Sequence, residues 1–548
     1  MLSETNQDPE SSPTSIFDLI FVKNPNKIPA NAPVYIADPK VITFGELEYL
    51  IRKCAYNLKE KYNIQKGDVV AMRTSSHVYR PAIAHAIIFA GGTVAFLRNT
   101  KEDVVEGIAE DLKTVEPKLF ITEYGTREVS LKAAAKAGIL ASQILMLSSI
   151  SDEEEAKEMK EVKEAIWVKN TLLSGDNLLS THYPFTENEL ENHPAFIFFT
   201  SGTTGNPKAV MGTSKAAIVH LKRFYPTSKI ASRVISFGPS YGTGVLFPDL
   251  LTHLILGNQL HFCYGATLDK FCQFVEKYAI NGFTTLPFMI GNMLKNAEYI
   301  KKNYDLSSLK RITTTGNMIP VSVIAAAKET FGVSMINMYG GTETRGPFYT
   351  SPKLTAMGAM GMLKQEYQAR LVDQNEQDVG VDQPGELLVK GVCVTKGYYN
   401  NAEANADSFT KDGYYRTGDI VKRDKEGVFW YLSRCKDLIR YQRERVYPYD
   451  IEKVVLTHPK VDDCGVIGVY SQELLTDLPR AYITLTHEED YENKEDIAKE
   501  VLEYANKQLS EKKQIRAGVF VKDTLKRTAT GKIIYLSLKE EALDEKIN

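Results

Sequence analysis

The sequence predicts an α/β protein. We expect a large N-terminal domain of helix-covered, mostly parallel sheets with a small β unit attached, and a small C-terminal α+β domain. Three observations carry that expectation. From about Pro194 to Tyr339, short β-rich runs alternate with helix-length stretches, and the same rhythm runs from Thr43 to Leu145. Strand followed by helix, repeated, is the pattern of a parallel sheet whose crossovers are helices. At Gln368 the pattern gives way to closely spaced short strands broken by Gly, Asp and Pro, which reads as antiparallel. After Arg434 it changes again, to two strand-like runs and a helix.

The elements follow in order. The apolar stretch Pro81 to Leu97 is interrupted by His85 and Gly91-Gly92, so it reads as a buried helix and a buried strand, too short for a membrane span. The acidic run Ser151 to Glu164 reads as a solvated surface helix or loop. AFIFFT (Ala195–Thr200), RVISFG (Arg233–Gly238), FTTLPF (Phe283–Phe288), RITTTG (Arg311–Gly316) and SMINMYG (Ser334–Gly340) are the strands of the second α/β stretch. ARLVD, GELLVKG, YYRTGDIV and GVFWYLSR form the β unit. GVIGVYS, RAYITLT and a helix near Glu495–Leu509 form the tail. The expected division is 1–433, with a barrel-like subdomain at roughly 366–433, and 434–548, the boundary falling between Leu432 and Asp437.

Composition narrows the function classes. The chain has 548 residues, 43% hydrophobic and 25% charged, with 66 basic against 69 acidic residues and a net charge of −3. That balance argues against a nucleic-acid partner or a membrane-surface field. Six cysteines without a C-x-x-C pair are no disulfide framework, which points to a reducing compartment. The polar, acidic N-terminus reads as neither a signal nor a transit peptide. The C-terminus is not of the S-K-L type. A cytoplasmic protein without an integral membrane segment is the expectation.

Five motifs carry chemistry. TSGTTGNPK spans Thr200 to Lys208, directly after AFIFF. Gly202 and Gly205 let backbone N–H groups approach an anion. Thr200, Ser201, Thr203 and Thr204 supply hydroxyls, and Lys208 a point charge. The G-x-x-x-x-G-K-[ST] spacing of a Walker loop is absent, yet the loop suits a polyphosphate far better than a bare turn. YGGTET, Tyr339 to Thr344, places Glu343 at the end of a buried strand, where an acid can hold Mg²⁺, and Tyr339 beside it as a flat surface for a purine. In YRTGDI, Asp419 can accept from two vicinal ribose hydroxyls, or can simply form the turn. In SRCKDLIRYQRERVYPYDIE, Arg434 can bridge to ribose or phosphate and Lys436 lies at the expected domain boundary; a charged linker is the alternative. In KRTATGKI, Lys532 can neutralise charge developing on a phosphoryl or carboxylate oxygen, or stay solvated.

Together, their order and spacing resemble the adenylate-forming (AMP-binding) superfamily of acyl-CoA synthetases, beetle luciferases and peptide-synthetase adenylation domains. The resemblance runs from Thr43-Phe44-Gly45-Glu46-Leu47 to Lys532. GYYNNAEAN (Gly397–Asn405) is most similar to the luciferase and coumarate–CoA ligase branch.

The resemblance implies an enzyme that joins a carboxylic acid to ATP, releases pyrophosphate, and passes the acyl group to CoA. It implies that Thr200 to Lys208 holds the β- and γ-phosphates, that Glu343 positions Mg²⁺ and that Thr342 touches the α-phosphate. Gly316, Asn317, Met318 and Tyr339 would flank the adenine, Gly340 and Gly341 would belong to the same cofactor-binding site, and Asp419 and Arg434 would bind the ribose. Lys532 would bridge the carboxylate and the α-phosphate, and Lys436 would be the hinge of a mobile C-terminal domain. The acyl pocket would include Tyr241, Gly242 and Thr243, with Arg345 facing it. The apolar runs Phe237–Thr243 and Leu286–Met293 suit a fatty or aryl acid. Departures from the family pattern are Tyr241 for a usual His, Ser214 for His, Ser433 for Asp, Leu525 for Pro, and Arg443 for a Gly that borders the CoA route. Transfer to a carrier protein or to oxygen, and a pseudoenzyme that binds nucleotide or acyl-CoA as a sensor, are the competing readings.

Overall fold

Six parallel strands and one antiparallel edge strand make up each of two large sheets. The computed structural model describes residues 15–75, 77–98, 104–149, 151–200, 207–223, 232–237, 248–263, 267–442, 444–527 and 532–544. The first sheet runs Ile166–Trp167, Ile144–Leu147, Leu119–Glu123, Val69–Arg73, Thr93–Phe96, Pro194–Phe199, Ala209–Thr213, with only the last strand antiparallel to its neighbour. The second runs Ser334–Met338, Arg311–Thr315, Gly282–Thr285, Arg233–Phe237, Gln259–Cys263, Pro33–Ala37, Lys40–Thr43, again with one antiparallel edge.

Val69–Arg73 and Thr93–Phe96 are buried at every residue, as expected of strands covered on both faces. Helix Arg80–Phe89 is buried throughout as well, so the long apolar stretch is a core helix followed by a core strand. His85 within it meets the Leu250 carbonyl at 2.9 Å, and burial pushes its pKa down to about 4. Helix Phe44–Tyr62 starts where the Thr43 hydroxyl accepts from the Glu46 N–H, a side-chain cap worth about 1 kcal/mol.

Two local expectations change. FTTLPF is strand only over Gly282–Thr285, because Pro287 opens helix Pro287–Lys295; Pro is preorganised for a first helical turn. The acidic run does form a helix, Asp152–Glu161, but Glu155 and Glu158 are buried. They accept from the Ser148 and Ser149 hydroxyls, and Lys169 pairs with Glu155.

The β unit is a six-stranded antiparallel sheet in the order Phe348–Tyr349, Gly361–Leu363, Val428–Arg434, Tyr415–Arg423, Gly385–Gly391, Tyr367–Val372. It recruits two short strands upstream of Gln368. The C-terminal domain has its own sheet, Val461–Ser471, Thr476–Leu485 and Val519–Val521. Helices Pro448–Val455 and Lys494–Gln508 pack on it around Ile451, Val466, Ile483 and Val501. Lys295 of the large domain reaches Asp462 of the small one at 2.6 Å. All six cysteines are free thiols. Among the described residues no helix is long and apolar enough to cross a membrane.

Candidate active site

The ends of parallel strands, the β unit and the C-terminal domain converge on one set of charged side chains. Asp419 and Arg434 face each other in register on adjacent antiparallel strands. The Arg434 Nε lies 2.8 Å from Asp419 Oδ1, and its Nη1 donates to the Thr417 carbonyl at 3.1 Å. Asp419 is 4% exposed. Its other oxygen accepts a short hydrogen bond from the Tyr339 hydroxyl. The Asp419 carboxylate drives the Arg434 pKa up, while burial and then Asp419 raise that of Tyr339.

Tyr339 follows strand Ser334–Met338, and its ring meets Phe348 edge-on at 5.5 Å. Gly340 comes next because nothing larger fits: a Cβ there would lie 2.8 Å from the Gly346 nitrogen. The Gly341 N–H donates to the Thr344 hydroxyl at 3.0 Å, and the Arg345 N–H to the Gly341 carbonyl at 3.0 Å. This tight turn carries Thr342 and Glu343, both half-buried. Glu343 is held on two sides: its carbonyl accepts from the Thr395 N–H at 2.7 Å, and its Oε1 accepts from the Tyr398 hydroxyl at 3.1 Å.

Gly316, Asn317 and Met318 follow strand Arg311–Thr315, with Gly316 in the left-handed region at φ 92°. Asn337 fixes this loop. Its amide donates to the Asn317 carbonyl at 3.2 Å and accepts from the Ile319 N–H at 3.1 Å, an orientation set by these partners. Asn337 escaped the sequence reading because it sits mid-strand in SMINMYG.

Thr200 and Lys208 form the neck of the Gly-rich loop. The Thr200 N–H donates to the Lys208 carbonyl and the Lys208 N–H to the Thr200 hydroxyl, both at 3.0 Å. Ser201, Gly202, Thr203, Thr204 and Gly205 lie outside the described residues, as do Tyr241, Gly242, Thr243 and Arg443. Lys532 comes from the C-terminal domain, yet Arg434, Asp419, Glu343 and Lys436 all act on its charge. Burial first, then Arg434, lowers its pKa. Lys436 lies in the turn Cys435–Asp437; burial lowers its pKa too, and its carbonyl accepts from the Lys539 ammonium at 3.2 Å.

Arg345 is placed differently from the rest. Its φ is 50°, and its guanidinium lies over strand Ala209–Thr213, at the Met211 carbonyl. A Cβ on Gly212 would overlap it at 2.0 Å. Its chemical neighbours are Cys393 and Tyr367.

The donor set suits a nucleoside triphosphate: a carboxylate–arginine pair for vicinal hydroxyls, a flat phenol ring beside it, and two lysines for phosphates. It also fits Mg²⁺. Glu343 keeps one oxygen clear of the Tyr398 hydrogen bond, so a carboxylate oxygen remains for a cation. Mg²⁺ is usually held in this way, by one or two carboxylates together with substrate phosphates.

Family models match along most of the chain: the AMP-binding enzyme model over residues 21–399 and the AMP-binding enzyme C-terminal domain model over 450–532. A putative acyl-coenzyme A synthetase of Emericella nidulans is 27% identical over 526 residues, covering 92% of this chain and 91% of that protein. The 4-coumarate–CoA ligase-like 3 of Arabidopsis thaliana is 25% identical over 501 residues, covering 90% and 86%. In fold, the chain is similar to the anthranilate CoA ligase AuaEII solved with anthranoyl-AMP, with TM-score 0.84, 19% identity and coverage of 98% and 99%. The ATP-bound MatB of Rhodopseudomonas palustris gives 0.79 at 21% identity, with coverage of 97% and 99%. This chain belongs to the AMP-binding enzyme family.

Proposed function

We propose that the protein activates a carboxylic acid with ATP and transfers the acyl group to CoA. The observation that carries this reading is the convergence of Asp419, Arg434, Glu343 and Lys532 from three separate parts of the fold. In the first step a carboxylate oxygen attacks the α-phosphorus, the bond to the β-phosphate oxygen breaks, and pyrophosphate leaves. In the second the CoA thiolate attacks the acyl carbon, AMP leaves, and a thioester remains.

The first step brings two anions together, so catalysis is mainly positioning and charge neutralisation. Asp419 and Arg434 hold the ribose, Tyr339 and the Gly316–Met318 loop flank the adenine, and Lys208 and the loop it closes bind the outer phosphates. Thr342 contacts the α-phosphate. Lys532 sits between the incoming carboxylate and the α-phosphate; its lowered pKa reflects the desolvation that also strengthens its pull on those oxygens. Glu343 would hold Mg²⁺, which would supply charge neutralisation of the phosphate oxygens.

The thiol needs an open path to the acyl carbon, and domain rotation about a hinge would provide one after adenylation. We therefore assign the division near residue 434 and the pivot to Lys436, with Arg443 on the CoA route and Tyr241, Gly242, Thr243 and Arg345 near the acid. The acid is fatty or aryl, as the apolar run Leu286–Met293 favours. The six free thiols favour a cytoplasmic setting.

AMP and pyrophosphate release from ATP, measured across a panel of fatty and aryl acids with and without CoA, tests both steps. Acid-dependent pyrophosphate release with CoA-dependent AMP turnover is the expected result. No acid-dependent pyrophosphate release with any acid overturns the reading.

A further inference from the structure

Tyr398 stands between Glu343, the proposed Mg²⁺ ligand, and Lys208, proposed for the outer phosphates, and the motifs give it no role. Its hydroxyl donates to Glu343 Oε1 at 3.1 Å. The Lys208 ammonium lies over its ring, 4.8 Å from the centroid. A second phenol, that of Tyr415, lies 3.2 Å from the Tyr398 hydroxyl.

The direction of this relay is fixed by chemistry. Glu343 accepts from Tyr398, which is thereby free to accept from Tyr415. Such a chain polarises each member toward the carboxylate.

The backbone holds the ring rigidly. The Met211 N–H donates to the Gly397 carbonyl at 3.1 Å and the Tyr399 N–H to the Ala209 carbonyl at 2.8 Å. Val210 bridges Tyr398 directly. The Asn405 amide closes both sides, accepting from the Tyr398 N–H at 2.7 Å and donating to its carbonyl at 3.0 Å. Tyr398 is 3% exposed. A merely structural tyrosine needs one partner for its hydroxyl; here both the hydroxyl and the ring face charged groups of the nucleotide site.

We propose that Tyr398 is a positioning residue for both phosphate-binding charges: its hydroxyl holds one Glu343 oxygen so that the other points at Mg²⁺, and its ring seats the Lys208 ammonium. The proposal rests on the ATP-dependent reading above. Its hydroxyl and ring roles separate by substitution.

The test is ATP binding by calorimetry, in EDTA and across a Mg²⁺ titration, with unliganded melting temperatures alongside. Tyr398→Phe removes only the hydroxyl. We expect the Mg²⁺ concentration for half-maximal enhancement of ATP affinity to rise about 3- to 10-fold, the equivalent of one ordinary net hydrogen bond, while affinity in EDTA stays unchanged. Tyr398→Leu removes the ring as well, and affinity in EDTA should also fall, by about 2- to 5-fold, as for a partly desolvated cation–π contact. Tyr415→Phe leaves the Glu343 bond in place and should move the Mg²⁺ midpoint less than Tyr398→Phe does.

The positioning role further requires that Tyr398→Phe has no added effect on the midpoint in a Glu343→Gln background. A Tyr398→Phe protein that melts lower but keeps the wild-type Mg²⁺ midpoint overturns the proposal, as does an undiminished effect in that background. Should Tyr398→Phe not fold, a Tyr415→Phe midpoint shifted at least as far as that of Glu343→Gln overturns it, and a smaller shift supports it. Wild-type protein whose ATP affinity ignores Mg²⁺ removes this inference together with the metal role. Wild-type protein that binds Mg·ATP but activates no acid removes only the proposed reaction.

Discussion

The two domains each bury a carboxylate against a tyrosine hydroxyl, and the two pairs behave differently. In the large domain Tyr339 donates to Asp419, which lies against Arg434. In the small domain Tyr535 donates to Glu452 Oε1 at 2.7 Å, and the Val466 N–H donates to the same oxygen at 3.0 Å. Both carboxylates are less than a tenth exposed. The charged groups that act on Glu452 are Asp463 and Asp437, whose own cations, Arg527 and Lys539, face those aspartates. Burial therefore pushes the Glu452 carboxyl up to about 7, whereas Asp419 sits against a guanidinium whose own pKa it raises. The same hydrogen-bonding pair has an arginine beside it in one domain, and in the other is left to burial, which raises the carboxyl's pKa.

Lys532 links the two regions, and removing it gives the largest expected effect. Lys532→Ala should lower acid-dependent pyrophosphate release by about 10²- to 10³-fold, the usual loss for one preorganised charge donor. Release near the wild-type rate would mean that the small domain supplies no charge to the nucleotide side. Asp419→Asn comes next. It keeps the shape but removes the charge, so ATP affinity by calorimetry should fall about 10- to 100-fold, as for hydrogen bonds to a charged group. Unchanged affinity would show that Asp419 serves Arg434 and not the ribose.

Glu452→Gln tests the other half of the comparison. Because the folded-state pKa of about 7 exceeds the ordinary 4.5, the native chain binds the proton more tightly than the unfolded one. Stability is then full below about pH 4.5, declines as pH rises, and carries its whole penalty above about 7, on the order of 3 kcal/mol. Urea unfolding of the wild type should show that decline, and Glu452→Gln should flatten it. Parallel pH profiles for the two proteins would place the titration elsewhere. The smallest effect belongs to Lys295→Ala. The Lys295–Asp462 bridge joins the domains with both partners partly exposed, so its loss should cost less than about 1 kcal/mol and vanish at high salt. A larger, salt-independent loss in urea unfolding would assign the bridge a structural role that its exposure does not predict.

Local signals made much of this legible. Continuous apolar runs such as AFIFF read as buried strands, and Pro81–Leu97 as a core helix followed by a core strand. The five motifs pointed to a candidate nucleotide site because each packs unusual residue types into a few positions. What escaped depends on contacts across the chain. Tyr339 and Asp419 are 80 positions apart, and Glu452 and Tyr535 are 83. No periodicity encodes such a pairing. Tyr398 lay inside a quoted stretch, GYYNNAEAN, but its ring and hydroxyl have meaning only once Lys208 and Glu343 are beside it. Glu155 and Glu158 were misjudged as solvated because the serines and lysine that satisfy them lie on neighbouring elements.

The pairing of residues 397–399 with strand Ala209–Thr213 has a consequence for how the chain is made. That strand is the last of the first sheet, and its outer side would otherwise offer unpaired N–H and C=O groups, the template on which chains add to one another. It is covered by a segment of the β unit, which a ribosome delivers only after the whole second sheet has emerged, at about 5–20 residues per second. Until then the edge is open. A fragment ending before Gly397 would keep it open permanently, so the first two sheets, complete as each is in strands, would not make a well-behaved protein by themselves.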